Sequence, residues 1–89
     1  KPIIVEVETL DQLRAALSIK GIMRILCDNF STTELREAVK LSEGVYPLEA
    51  SGSINEKNIV DYAETGVDYI SIGSITKDIF SIDLSLRFI

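Results

Sequence analysis

Apolar, β-branched segments that end in polar or small residues recur along this chain at nearly constant spacing. The ends of four such segments lie 22, 23 and 22 residues apart, at Glu6, Asp28, Ser51 and Gly73. Between them the apolar residues follow helical spacing, and each helical stretch runs up to a glycine, as is typical of a helix C-terminus. This alternation predicts an α/β fold of four consecutive βα modules, with parallel strands joined by right-handed crossovers.

Periodicity alone leaves two architectures open for these modules. Four of them can form half of a (β/α) barrel or a small open doubly wound sheet, because both folds are built from the same unit. In either fold, ligands bind at the carboxyl ends of the strands. The candidate functional residues are therefore expected at those ends.

Local signals set the expected boundaries of the elements. Strands are predicted over residues 3–8, 23–28, 45–50 and 69–73. Helices are expected to begin after Thr9, Ser31 and Asn55, and the first two have Gln or Glu three residues on, the signature of a capping box. From Ser74 onward we expect a short helical turn, followed by an alternating segment that resembles a half-exposed strand.

Composition and charge exclude several classes of partner. The chain has 14 Asp and Glu residues against 9 Lys and Arg, no His, and a net charge of −5. Because the basic residues are scattered, we expect neither nucleic-acid nor membrane binding. The single cysteine, Cys27, lies in an apolar run, which is compatible with a core position and a cytoplasmic protein. The chain starts at Lys1 without an initiator Met, so we expect it to be part of a longer polypeptide.

Side-chain alternation places several polar groups on the face of the sheet that points away from the helices. The carboxylates expected on this inward face are Glu6, Glu8, Asp28 and Glu49, close to the turns Ser51-Gly52-Ser53 and Gly73-Ser74. Phosphate fits such turns, and the carboxylates suit ribose hydroxyls or a hydrated Mg²⁺. Alternatively, the three Glu side chains form structural ion pairs with Arg24 and other basic residues across a barrel interior.

Several strings of the sequence, taken together and in order, resemble one enzyme family. These strings are "VEVETLDQL", "CDNFS", "LEASGSI", "ETGVDYISIGSIT" and the closing "DLSLRF", and they resemble the C-terminal part of quinolinate phosphoribosyltransferase, the nicotinate-nucleotide pyrophosphorylase of NAD biosynthesis. The resemblance runs through essentially the whole chain. It implies that residues 1–89 are the C-terminal portion of a TIM-like (β/α) barrel domain, a half-barrel, with residues 82–88 as an extra edge strand outside the barrel.

The resemblance also implies an activity, that of a pentosyltransferase. In the family, quinolinate attacks the anomeric carbon of phosphoribosyl pyrophosphate, and nicotinate mononucleotide, pyrophosphate and CO₂ result. By resemblance, Glu6 and Asp28 hold the ribose hydroxyls and the metal-linked pyrophosphate, with Mg²⁺ as the cofactor. The residues implied to receive the ribose phosphate are Ser51, Gly52, Ser53, Gly73 and Ser74. The family usually has glycine where this chain has Ser53.

The family's Arg, Lys and His cluster for the two carboxylates of quinolinate belongs to an earlier part of the enzyme and to a neighbouring subunit. The resemblance thus implies a homodimer, or the remainder of a longer chain, and an isolated chain without activity. Two hypotheses follow: a phosphoribosyltransferase chain that supplies the phosphoribosyl pyrophosphate half of the site, or a non-catalytic half-barrel scaffold with weak phosphate binding. A related paralogue associated with molybdate transport is a further alternative. Because only four strands are predicted in the repeat, the end strands would expose hydrogen-bonding edges, and we expect that the isolated chain either self-associates or comes from a larger polypeptide.

Overall fold

The computed structural model describes residues 3–73 and 75–79 of the chain. Their strands form a single sheet, in which the chain order is also the spatial order, β1-β2-β3-β4-β5. The strands are β1 (Ile3–Val7), β2 (Ile22–Asp28), β3 (Leu48–Ser51), β4 (Tyr69–Ile72) and β5 (Ile75–Asp78). The helices are α1 (Leu10–Leu17), α2 (Thr32–Ser42) and α3 (Ile59–Ala63).

The strand order decides between the two predicted architectures. Strands β1 to β4 run parallel to one another, and a helix connects each of the first three to the next strand along the sheet. A doubly wound sheet would reverse its strand order at a switch point, whereas a (β/α) barrel advances always in one direction. The predicted partial barrel is therefore confirmed, and the barrel is not closed within the described residues.

The hydrophobic core lies between the sheet and the helices. On the sheet its members alternate as predicted, and those below one tenth exposure include Val7, Ile25, Cys27, Ala50 and Ile70. The helices contribute Leu13, Leu35, Ala38 and Ile59. On the opposite face of β1, Ile4 is 48% exposed. Within residues 3–73 and 75–79, the helices thus cover only the outer face of the sheet, and the inward face is open.

The helix N-termini form largely as their capping signals predict. Ser31 accepts a hydrogen bond from the Glu34 backbone N–H at 3.1 Å, and the Glu34 carboxylate accepts one from the Ser31 N–H at 2.9 Å. Thr9 accepts from the Gln12 backbone N–H at 3.1 Å, but the Gln12 side chain accepts from Glu8 at 2.7 Å instead of from Thr9. The capping box is therefore complete at α2 and displaced by one residue at α1.

Two predicted boundaries are wrong in the third module. Strand β3 begins at Leu48 rather than at residue 45, because Pro47 contributes only its carbonyl, which accepts from the Ile25 N–H at 2.9 Å. Helix α3 begins at Ile59, several residues after Asn55. The Asn55 side chain instead accepts from the N–H groups of Lys57 at 2.8 Å and Asn58 at 3.2 Å, which closes a separate turn before the helix.

The segment after β4 also differs from the prediction. Residues 75–78 form strand β5, which pairs antiparallel with β4, and among the described residues 3₁₀ conformation is found only at Ile79, after this strand. The predicted edge strand over residues 82–88 lies outside the described residues. Across residues 3–73 and 75–79, every helix is too short or too polar to span a lipid bilayer.

Candidate functional site

The carboxyl ends of β2 and β3 are joined by side-chain as well as backbone hydrogen bonds. Asp28 and Ser51 are register partners at the last position of the two strands. Ser51 Oγ donates to Asp28 Oδ1 at 3.0 Å, and the Asn29 N–H donates to the Ser51 carbonyl at 2.9 Å. The structure therefore brings together two of the predicted site residues, and it fixes the orientation of the Asp28 carboxylate.

The turn that follows β3 has an unusual left-handed backbone. Gly52 has a φ of 86° and Ser53 a φ of 57°. A Cβ added at Gly52 would lie 2.3 Å from Asn29 Oδ1 and 3.1 Å from the Asn29 backbone nitrogen, so only glycine lets the turn approach the end of β2 this closely. Asn29 adopts a left-handed φ of 60°. It was not among the predicted site residues, although Asn adopts this conformation more readily than most residues.

The backbone N–H groups of this turn are available to a ligand. The Ser53 carbonyl accepts from Asn58 Nδ2 at 2.8 Å, which fixes the turn from its far side. Within the described residues, the N–H groups of Gly52 and Ser53 have no hydrogen-bond acceptor. Helix α3 has only 5 residues and starts at Ile59, so the turn itself, and not a helix N-terminus, provides these donors.

The end of β1 presents two carboxylates at different heights. In the register of β1 with β2, Glu6 lies beside Leu26 and Val7 beside Cys27. Continuing that register places Glu8, directly after the strand, beside Asp28. Both Glu side chains are exposed, and neither is hydrogen-bonded to Asp28 in the described part of the chain. Glu8 is therefore level with the cluster formed by Asp28 and Ser51, whereas Glu6 lies about 7 Å further down its strand.

Glu49 does not join the carboxylates at the strand ends. It is 5% exposed, and its Oε1 lies 3.1 Å from Arg24 Nε. Its Oε2 accepts hydrogen bonds from the hydroxyls of Ser71 and Thr76. The predicted convergence of four carboxylates is wrong for this residue, and the alternative of a structural ion pair with Arg24 is confirmed.

The second predicted turn begins at Gly73, directly after β4. Gly73 has a φ of 60°, and a Cβ added there would meet no atom within 4 Å. Its backbone is thus open to solvent on the side where a side chain would project. Ser74, the other residue predicted for this turn, lies outside the described residues.

Cys27 occupies the core position that its apolar neighbours predict. The side chain is fully buried, and desolvation raises the pKa of the thiol to about 12. A thiol with so high a pKa is not a nucleophile at neutral pH. The chemistry of this site therefore depends on carboxylates, hydroxyls and backbone N–H groups.

Known proteins resemble this chain in sequence over nearly its whole length. The sequence profile of the family described as quinolinate phosphoribosyl transferase, C-terminal domain, matches residues 1–87. A relative from Methanocaldococcus jannaschii, named as a probable carboxylating nicotinate-nucleotide pyrophosphorylase, is 40% identical over an alignment that covers 100% of this chain and 34% of the relative. One from Mycobacterium leprae with the corresponding name is 38% identical, with coverage of 96% and 31%.

Solved structures show the same relationship. The nicotinate-nucleotide pyrophosphorylase from Francisella tularensis superimposes with a TM-score of 0.74 at 40% identity, and the match covers 84% of this chain and 28% of that one. The enzyme of the same name from Ehrlichia chaffeensis gives a TM-score of 0.73 at 41% identity, with coverage of 79% and 25%. The chain spans about a third of the length of the curated relatives it matches. The chain belongs to the quinolinate phosphoribosyl transferase family and corresponds to its C-terminal domain.

Proposed function

We propose that this chain supplies the phosphoribosyl pyrophosphate half of a quinolinate phosphoribosyltransferase site. The reaction is transfer of the phosphoribosyl group to quinolinate, with nicotinate mononucleotide, pyrophosphate and CO₂ as products, a step of NAD biosynthesis. The observation that supports it best is the hydrogen bond between Asp28 and Ser51 beside a left-handed turn with unpaired N–H groups. This cluster offers an acceptor for sugar hydroxyls and donors for a phosphate within one strand spacing.

In this proposal the turn after β3 binds the 5-phosphate of the ribose. Successive backbone N–H groups in a left-handed turn form a concave surface that attracts anions. Gly52 and Ser53 supply those groups, the Ser51 hydroxyl lies next to them, and Gly73, at the end of the neighbouring strand β4, forms the adjacent edge of the phosphate site. The absence of a side chain at Gly52 lets the turn pack against Asn29, which holds these N–H groups at the end of β2.

The carboxylates act on the ribose ring. Asp28 accepts from a ribose hydroxyl with the oxygen that Ser51 does not occupy, and Glu6 or Glu8 provides a second acceptor from β1. Cleavage of the bond between the anomeric carbon and pyrophosphate leaves its electron pair on pyrophosphate and positive charge on the ribose. Nearby carboxylates stabilise that charge, so the step requires no general base from this chain.

A magnesium ion fits the donor set that these residues provide. No cluster of three or more potential metal-ligating side chains is found in the described part of the chain. Mg²⁺ commonly binds through one or two carboxylates together with substrate phosphates and water, so such a cluster is not required. Asp28, with Glu6 or Glu8, would hold the ion, which when bound would neutralise charge on the leaving pyrophosphate.

The quinolinate half of the site is assigned to other parts of the enzyme. This chain spans about a third of the length of its relatives, and among the residues that the structure describes the candidate site carries no cationic group for the two carboxylates of quinolinate. We infer that those groups come from the remainder of a longer chain or from a second subunit of a homodimer. The isolated chain should then bind phosphoribosyl pyrophosphate without turning it over, and we expect it in the cytoplasm.

Binding measurements on the chain can test this proposal. Ribose 5-phosphate and phosphoribosyl pyrophosphate with Mg²⁺ would be titrated calorimetrically into the native chain and into Asp28→Asn, Glu6→Gln and Glu8→Gln variants. We expect Asp28→Asn to weaken the binding of phosphoribosyl pyrophosphate about tenfold or more, because it removes a hydrogen bond to a charged group. Asp61→Asn, which removes an exposed carboxylate on α3, is the matched control. Equal affinity for the native chain and Asp28→Asn, or no binding at all, would favour the scaffold hypothesis.

A chimera tests the catalytic part. The matching C-terminal segment of the Methanocaldococcus jannaschii relative would be replaced by this chain, and formation of nicotinate mononucleotide would be followed. We expect activity in the chimera and its loss with Asp28→Asn. A correctly folded chimera that binds quinolinate but forms no product would contradict the proposal.

A further inference from the structure

The hydrogen-bond ladder between β3 and β4 is short. Glu49 pairs with Tyr69 and Ala50 with Ile70, and no further register pair joins the two strands in the described residues. By contrast, β4 and β5 share four register pairs, from Tyr69 to Ile72. Strands β4 and β5 thus form a hairpin that the backbone attaches to the rest of the sheet only near its base.

Side chains from the inward face close this gap. Glu49 on β3 reaches across to both strands of the hairpin, where Ser71 of β4 and Thr76 of β5 donate to its Oε2. The two hydroxyls also lie 3.1 Å from one another. One buried carboxylate oxygen therefore connects three strands just above the last register pair between β3 and β4.

Arg24 supplies the charge that such a carboxylate needs. Its Nε lies 3.1 Å from Glu49 Oε1, but its N–H does not point at that oxygen and has no hydrogen-bond partner in the described residues. The guanidinium lies over the Tyr69 ring, with its carbon 4.5 Å from the ring centroid. Stacking thus sets the orientation of Arg24, and the ion pair offsets the desolvation of Glu49.

We infer that Glu49 is a positioning residue, which holds the hairpin through Ser71 and Thr76 so that Gly73 stays beside the turn at Gly52. Gly73 lies two residues beyond Ser71, at the carboxyl end of β4, and because β3 and β4 are parallel this is the edge of the sheet that carries the turn at Gly52. The inference rests on the proposed function, because it assigns Glu49 to the phosphate site without any contact to the ligand. Because both strands of the hairpin donate to the same carboxylate, removing these contacts should loosen the hairpin as a unit.

Thr76 offers a substitution that does not endanger the fold, because its side chain is on an exposed strand. Thr76→Val keeps the shape and removes the hydroxyl, Thr76→Ser restores the hydroxyl, and Thr33→Val makes the same change at an exposed position of α2. Amide hydrogen exchange of Ile72, Ile75 and Lys77 would be measured by NMR, together with the affinity for ribose 5-phosphate. We expect Thr76→Val to speed exchange in the hairpin about tenfold and to weaken binding at least threefold. Thr76→Ser and Thr33→Val should behave like the native chain.

A second variant tests Glu49 directly. Arg24→Met combined with Glu49→Leu replaces the buried ion pair by apolar side chains, a change that proteins usually tolerate. Its hairpin should exchange as fast as that of Thr76→Val while the other amides stay protected. The inference is overturned if the hairpin amides of both variants exchange at the rates of the native chain. It is also overturned if the native chain binds ribose 5-phosphate and a variant exchanges faster but binds with the same affinity. If the native chain binds no ribose 5-phosphate, the proposed function fails, and the exchange rates alone decide whether Glu49 holds the hairpin.

Discussion

Ser53→Gly is expected to stabilise the fold, because Ser53 adopts a backbone conformation that glycine adopts without strain. Its φ is 57°, and its carbonyl is held by Asn58 Nδ2 at 2.8 Å. A left-handed conformation costs a residue with a Cβ about 1–2 kcal/mol, and the greater freedom of glycine in the unfolded chain cancels about 0.4–1 kcal/mol of the gain. The free energy of unfolding should rise by about 0.5–1 kcal/mol, which corresponds to a Tm increase of about 2–8 °C for a domain of this size.

Thermal unfolding followed by circular dichroism measures this change. Ser53→Ala keeps the Cβ and should bring no gain, which separates the backbone effect from loss of the hydroxyl. Glu43→Gly changes another left-handed residue, with a φ of 47° at the C-terminus of α2, and should stabilise by a similar amount away from the site. If Glu43→Gly stabilises and Ser53→Gly does not, the turn after β3 is not left-handed at Ser53 in solution, and the phosphate site described above loses its geometric basis.

Two further substitutions test the same turn and the core. Gly52→Ala should lower the free energy of unfolding by about 2–4 kcal/mol, from a left-handed backbone and a close contact with Asn29. When Asn29 is also replaced by Gly, the decrease in the free energy of unfolding caused by Gly52→Ala should be about half as large, as measured by urea titration. An equal decrease in both backgrounds would show that Asn29 does not contact a side chain at position 52. Burial raises the pKa of the Cys27 thiol from 9.0 to about 12, so between these values only the unfolded chain releases the proton. Below about pH 8 this group should not affect stability, whereas from pH 9 towards 12 it should lower the free energy of unfolding by about 1.4 kcal/mol per pH unit. Cys27→Ala should remove this part of the pH dependence of the free energy of unfolding. The same pH dependence in the native chain and in Cys27→Ala would refute the prediction.

The sequence predicts those parts of the fold that depend on local chemistry and period. The end of β2 and the start of α2 follow from Asp28 and the capping box of Ser31 and Glu34, because these contacts lie within one turn of the chain. The buried face of each strand follows from alternation alone. The order of the strands does not follow from the sequence, because a half-barrel and a doubly wound sheet are built from the same βα unit.

The wrong predictions occur where a local sequence signal is compatible with two structures. Asn55 has the side chain of a helix cap, but the same side chain closes an Asx turn, and here it does so before α3 begins. The sequence also contains a signal for the hairpin of β4 and β5, which was predicted as a helical turn instead. Gly73 and Ser74 separate two β-branched runs, and glycine at the first of two linking positions is typical of a hairpin. The φ of 60° at Gly73 fits that position.

The roles of Asp28 and Glu49 show why residue type and face do not identify a site by themselves. Both are carboxylates on the inward face of adjacent strands. Asp28 ends its strand, is only partly buried and accepts from one hydroxyl, so it retains an oxygen for a ligand. Glu49 lies two residues below the end of β3, and at that height a cation and two hydroxyls surround it. The neighbours that surround these two carboxylates therefore separate Asp28, which is open to a ligand, from Glu49, which maintains the structure beneath it. The same reasoning predicts that Glu8, level with Asp28, contributes more to ligand binding than Glu6, and the paired Glu→Gln titrations would show this directly.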